Sequence, residues 1–266
     1  MQFARSGFAR RFRVVVATAV LVLAGVTAQA TPAQAASTCA SGGSYDMGKY
    51  WITNNLWGAG SGSGWQCIWN NSQSGNNISW GTNYSWSGAS NSVKSFDAAI
   101  LGWHWGWRRS GTGLPVQLSA NRSVNTGFSY NVRHSGGAMN VSYDMWLHPI
   151  SNPGSNSGPS DEVMIWTYRA GGAGPAGTLQ ATVTVAGTSW DLYRGRIGGT
   201  TGWNVYSFVR RSNTTSATFN ARDFLNHLVG RGWLSSAKYL TSVQAGTEIF
   251  TGSGQLDVTN FYANVS

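Results

Sequence analysis

The chain has 266 residues and a formal net charge of +9, with only 10% charged residues against 35 glycines, 14 tryptophans and 10 tyrosines. So many aromatic side chains exclude a disordered chain, which lacks the apolar surface to fold on. The basic excess is scattered, with no stripe or patch of the kind that binds nucleic acid, and it falls to +5 once the four arginines among the first thirteen residues are set aside.

Those four, Arg5, Arg10, Arg11 and Arg13, open an export signal. An apolar stretch from Val14 to Val26 and a small-residue cleavage site, Ala33-Gln34-Ala35, follow them. The stretch is too short for a stable membrane anchor. Residues 1–35 therefore read as a signal peptide, and residues 36–266 as one secreted, extracellular domain free of the membrane. The Arg10-Arg11 pair fits general export as well as a twin-arginine route. Beyond the signal only Cys39 and Cys67 remain, and in an exported chain an even pair reads as one disulfide. Closing a loop of that length contributes roughly 3 kcal/mol. The four histidines, His104, His134, His148 and His227, lack ligand spacing, so no metal and no cofactor is expected.

Turn-forming clusters then punctuate the chain, among them Gly58 to Gly64, Ser135 to Gly137, Gly171 to Gly177 and Gly252 to Gly254. Short β-branched and aromatic runs lie between them, which argues for an all-β sandwich or barrel. In the run Trp103-His104-Trp105-Gly106-Trp107 the three tryptophans share parity; they read equally as sugar-stacking platforms and as packing. Alternate side chains of a strand point to opposite faces. Over 140–148 this puts Asn140, Ser142, Asp144, Trp146 and His148 on one face, with Val141, Tyr143, Met145 and Leu147 on the other. Over 162–168 it groups Glu162, Met164, Trp166 and Tyr168 against Val163, Ile165 and Thr167. Both polar-aromatic faces read as the lining of a groove. One helix is expected over Ala221 to Val229, with Asn220 as N-cap and Asp223 at the third position, covering the outside of a sheet. His227 on it reads as packing or surface.

Of the nine acidic residues only Glu162 and Glu248 are glutamates, and each lies in strand-like sequence flanked by apolar residues. A chain that hardly uses glutamate on its surface, yet places two in such settings, points to chemistry. Paired carboxyls beside aromatic platforms suit glycoside hydrolysis, in which one protonates the leaving oxygen and the other attacks the anomeric carbon or activates water. Burial holds one protonated while hydrogen bonds keep the other ionised.

Four segments carry a closer likeness: Asn54-Asn55-Leu56-Trp57-Gly58, Tyr143-Asp144-Met145-Trp146-Leu147, Glu162-Val163-Met164-Ile165-Trp166 and Tyr239 to Glu248. In their order and spread over the exported chain they resemble glycoside hydrolase family 12. The resemblance implies an antiparallel two-sheet β-jelly roll whose concave face is an open cleft. It also implies endo-acting hydrolysis of β-1,4-glucans with retention, so carboxyl groups about 5–5.5 Å apart. Position by position it implies Glu162 as nucleophile, Glu248 as acid/base and Asp144 as the carboxyl that supports Glu162. Met164 lies beside the nucleophile, and Asn55, Trp57 and Trp166 hold glucosyl units. Where the family often has proline after the acid/base, this chain has Ile249.

The implied substrates are cellulose, mixed-linkage glucan or xyloglucan, cut by a monomer whose cleft must stay open. The alternatives are a xyloglucan-specific endoglucanase, a xylanase of the related jelly-roll family, and a carbohydrate-binding jelly roll without activity. Met164-Ile165-Trp166 after Glu162 points away from the xylanase.

Overall fold

The computed structural model describes residues 35–266, so the export signal and its route lie outside the described residues. In chain order the first strands are β1 (Ser37–Thr38), β2 (Ser44–Met47), β3 (Tyr50–Thr53), β4 (Gly62–Ser74), β5 (Asn77–Gly88) and β6 (Ser95–Gly102). A short β7 (Val116–Gln117) precedes β8 (Val124–Ser135), β9 (Met139–His148) and β10 (Asp161–Ala170). The last part holds β11 (Thr178–Val185), β12 (Thr188–Ile197), β13 (Trp203–Arg210), β14 (Ser216–Asn220), the helix α1 (Arg222–Gly230), β15 (Tyr239–Ile249) and β16 (Gly252–Val265).

Two sheets form from these strands. The smaller runs β1-β4-β5-β16-β8-β14; the larger runs β11-β12-β13-β10-β9-β15-β6-β3-β2, with β7 added beside β15. Their facing sides share one core, in which Phe128 and Phe261 of the smaller sheet meet Tyr143 of the larger. Every pairing is antiparallel except β10 with β13. That exception follows from the connection: residues 171–177 carry the chain from the middle of the sheet to its edge, and β11, β12 and β13 fold back from there. The Cys39–Cys67 disulfide forms as expected.

The strand parity holds in β9 and most of β10. Val141, Tyr143, Met145, Leu147, Val163 and Ile165 enter the shared core, while Met164 and Trp166 pack in a separate cluster on the opposite face. All ten residues of β9 are buried because both faces are covered. Tyr168 is a correction. The register of β10 against β9 shifts between Trp166 and Tyr168, and this bulge turns Tyr168 away from the groove to pack against the shared core.

The helix begins one residue later than its sequence signal. Ala221 takes the cap position without a side-chain bond, and Asn220 instead accepts the backbone N–H of Arg222 and of Val124. Phe224 packs on Trp190, Phe208 and Phe219, so α1 covers the larger sheet on its core side, next to the edge of the smaller one. His227 lies against Phe208, as packing.

A buried polar knot ties the sheets together. Gln66 of β4 and Thr82 of β5 each donate 2.6 Å hydrogen bonds to Asp97 of β6, which has no exposed surface. Burial pushes the Asp97 carboxyl up to about 7, against those bonds. A carboxyl raised in the folded state favours folding while protonated, and that contribution fades as pH rises from its ordinary value of 3.8 through about 7. Stability followed by thermal unfolding should therefore fall across that window. Asp97→Asn should flatten the slope, whichever way its absolute stability moves.

Candidate active site

The larger sheet turns its other face to a cleft of about 820 Å³. Three adjacent strands supply its floor: β10 brings Glu162, β9 brings Asp144, and β15 brings Glu248. All three carboxyls line the cavity, and so do Asn55, Trp57, Met164 and Trp166, so every site residue read from the sequence converges here. They do not sit alike. Trp57 is 66% exposed at the rim, whereas Trp166 is buried at the floor with its Nε1 donating to the Met164 sulfur at 3.4 Å.

No lysine or arginine lines this cavity among the described residues. The carboxyls therefore have only neutral donors and one another. Burial raises the Glu162 pKa; the indole of Trp203 opposes that by donating to Oε2 at 2.6 Å, and the nearby Glu248 charge adds to it. Burial pushes Glu248 up to about 7, opposed by the side-chain amide of Asn140. Asp144 is raised well above the usual carboxylate range, first by burial and then by the charges of Glu162 and Glu248. Its Oδ1 has no hydrogen-bond partner among the described residues. Such a trio cannot hold three negative charges at neutral pH.

Asn140 and Trp203 were not singled out for the site by the sequence reading. Asn140 stands opposite Glu248 in the β9–β15 register, and it also accepts the Glu248 backbone N–H at 3.2 Å. It thus fixes the acid at two points. Trp203 starts β13, whose parallel pairing with β10 brings it near Glu162 from 41 residues away. Only Asn140 left a signal, by lying on the polar parity of β9.

The tryptophan run divides. His104 and Trp107 exchange both backbone hydrogen bonds, and Trp105 and Gly106 between them have φ of 48° and 93°. This is a tight turn with two left-handed residues, one of them a bulky side chain at a strained position. Trp103 is buried against His148; Trp105 lines the cleft beside Trp146 and Trp203; Trp107 is 75% exposed and does not line it. His104, also lining the cleft, is pushed down to about 4 by burial, with its Nδ1 3.2 Å from the side-chain nitrogen of Gln244. It is a neutral wall at working pH. Ile249 continues β15 into the core, with its carbonyl accepting the Lys94 N–H at 2.7 Å, so the strand is held through the position after Glu248.

Removing either neutral donor has a signed consequence. Trp203→Phe should move the Glu162 titration upward, and Asn140→Leu should move that of Glu248 above about 7. Carbon-detected NMR titration of the two glutamate carboxyls measures both; unchanged midpoints would show that these bonds do not set the charges.

Known proteins resemble this chain in sequence and fold. The family model for glycosyl hydrolase family 12 matches residues 48–266. Endoglucanase S of Pectobacterium parmentieri is 41% identical over 223 residues, which are 82% of each chain. Xyloglucan-specific endo-β-1,4-glucanase A of Emericella nidulans is 38% identical over 251 residues, 92% of this chain and 98% of that one. Among solved structures, the native family 12 xyloglucanase from Bacillus licheniformis superposes with a TM-score of 0.80 at 39% identity, over 87% of this chain and 100% of its own. Sequence motifs, a mostly-β two-sheet fold and these likenesses agree that the chain belongs to glycosyl hydrolase family 12.

Proposed function

We propose that this protein is a secreted, monomeric endo-β-1,4-glucanase that cleaves with retention, using Glu162 as nucleophile and Glu248 as acid/base. The observation that carries the reading is the meeting of Glu162, Glu248 and Asp144 on one cleft floor without a cation. In the free enzyme Asp144, with an unpartnered oxygen and two acids beside it, keeps a proton. Attack requires Glu162 ionised, and the Trp203 indole is the donor that favours its charge, against a burial that raises its pKa to about 8. Its carboxylate attacks the anomeric carbon while Glu248 gives its proton to the departing glycosidic oxygen, leaving a glycosyl ester on Glu162. Glu248, now ionised, takes a proton from water, and that water displaces the ester from the same face the product keeps.

Xyloglucan has a specific observation in its favour among the β-1,4-glucans. The cleft wall contributed by Gly172, Gly174, Pro175 and Ala176 carries only small side chains, which leaves room for branches on the backbone. The relatives from Emericella and Bacillus named above carry xyloglucan in their names.

Glu162→Gln and Glu248→Gln should each lower kcat/KM on carboxymethyl cellulose, mixed-linkage glucan or xyloglucan by more than about a thousandfold. Proton NMR of the fresh product should show the β-anomer first. Activity on xylan alone, or undiminished activity in a verified Glu162→Gln protein, overturns the reading. Because Glu248 must be protonated to act, the alkaline limb of kcat/KM should fall near pH 7.

A further inference from the structure

The cleft occupies one side of the sandwich; the side facing away from it is the outer face of the smaller sheet. There β4 and β5 run for 13 and 12 residues without a single charged side chain. Their inward residues, such as Ile68, Trp80 and Tyr84, fill the core. Outward, β4 presents Trp65, Cys67 and Trp69, and β5 presents Gly81, Asn83 and Ser85 directly opposite them.

This strip is built. Trp65 is 49% exposed. The Trp69 indole lies flat across Gly81, where an added Cβ would come within 2.3 Å of the ring. Glycine at 81 thus lets the indole turn one face to the sheet and the other outward. Asn83 stands opposite Cys67, between the two indoles, with its side-chain oxygen buried and without a partner among the described residues. Cys67 stands between them too, and its disulfide to Cys39 braces the strip against β1. Two indoles on one strand, with a hydroxyl alongside, match the alternating apolar faces and hydroxyl edges of a sugar chain. The lack of charge fits a neutral polymer over an anionic one.

We propose that the outer face of β4 and β5 is a second binding surface for a neutral β-glucan chain, with Trp65 and Trp69 as stacking platforms. It holds the enzyme on its polymer while the cleft on the opposite side cuts. The identity of the polymer rests on the glucanase reading above; the platform itself rests on the strip.

Affinity electrophoresis of the non-hydrolysing Glu162→Gln protein through gels containing mixed-linkage glucan or xyloglucan tests it. Trp65→Ala in that background should weaken retention about five- to tenfold. With Glu162 intact, Trp65→Ala should leave kcat/KM on short cello-oligosaccharides within about twofold of the parent. Trp69→Ala should weaken retention in the same sense, and the exposed Trp65 keeps the test decisive should Trp69→Ala fail to fold. Unchanged retention overturns the proposal. So does an equal loss on short oligosaccharides, which would place the damage in the cleft. A dimer that Trp65→Ala converts to a monomer in light scattering also overturns it, since a second copy would then be the occupant. If the parent protein cleaves no β-glucan, the functional reading fails; if it cleaves but the surface variants are retained like the parent, only this inference fails.

Discussion

Three carboxyl groups share a buried floor with no cation among them, and much of the surrounding architecture answers that constraint. The neighbouring residue shows the alternative. Asp161, one position before Glu162 and so on the other face of β10, has Lys238 and the Asn204 amide for partners. Glu162 has an indole instead. A cation in the cleft would lower the pKa of the carboxyls beside it and draw off the proton that one of them holds. Neutral donors and mutual repulsion leave the protons in circulation.

Placing that trio takes the whole sandwich. The central strand β9 is buried on both faces, so its odd residues can lock the larger sheet to the smaller while its even residues serve the cleft. The knot of Gln66, Thr82 and Asp97 joins the sheets on the core side of β6, and the cleft face of the same strand lines the floor with Phe96. A disturbance of the core is therefore felt in the register of the floor, because both are written on the same strands.

The strand faces were legible because alternation is a local property; the acid trio was legible from the scarcity of glutamate and the family resemblance. Asn140 to His148 and Glu162 to Trp166 announce their faces without knowledge of any neighbour. What escaped was non-local. The bulge at Thr167 that turns Tyr168 inward is visible only against β9. Trp203 meets Glu162 only because β13 runs parallel beside β10. The tryptophans 103, 105 and 107 share a parity that ends where the chain stops being a strand, and the positive φ at Trp105 ends it. Asn220 did satisfy a helical N–H, one residue outside the expected place, since it also serves Val124.

The crossing connection from β10 to β11 also bears on how this cleft can diverge. At Gly171 an added Cβ would lie 1.5 Å from the Gly137 carbonyl, and at Gly137 one would lie 2.3 Å from the carbonyl of Thr251. Three loop backbones thus touch at one end of the cleft. Three residues along, Gly174 lines the cleft with ordinary φ, and an added Cβ would meet nothing within 4 Å. The hinge of the wall is closed to change while its surface is open to it. Such a scaffold has a free dial for pocket width, set in a mount that cannot shift, and single steps at that wall can reshape the cleft while leaving the acid floor untouched.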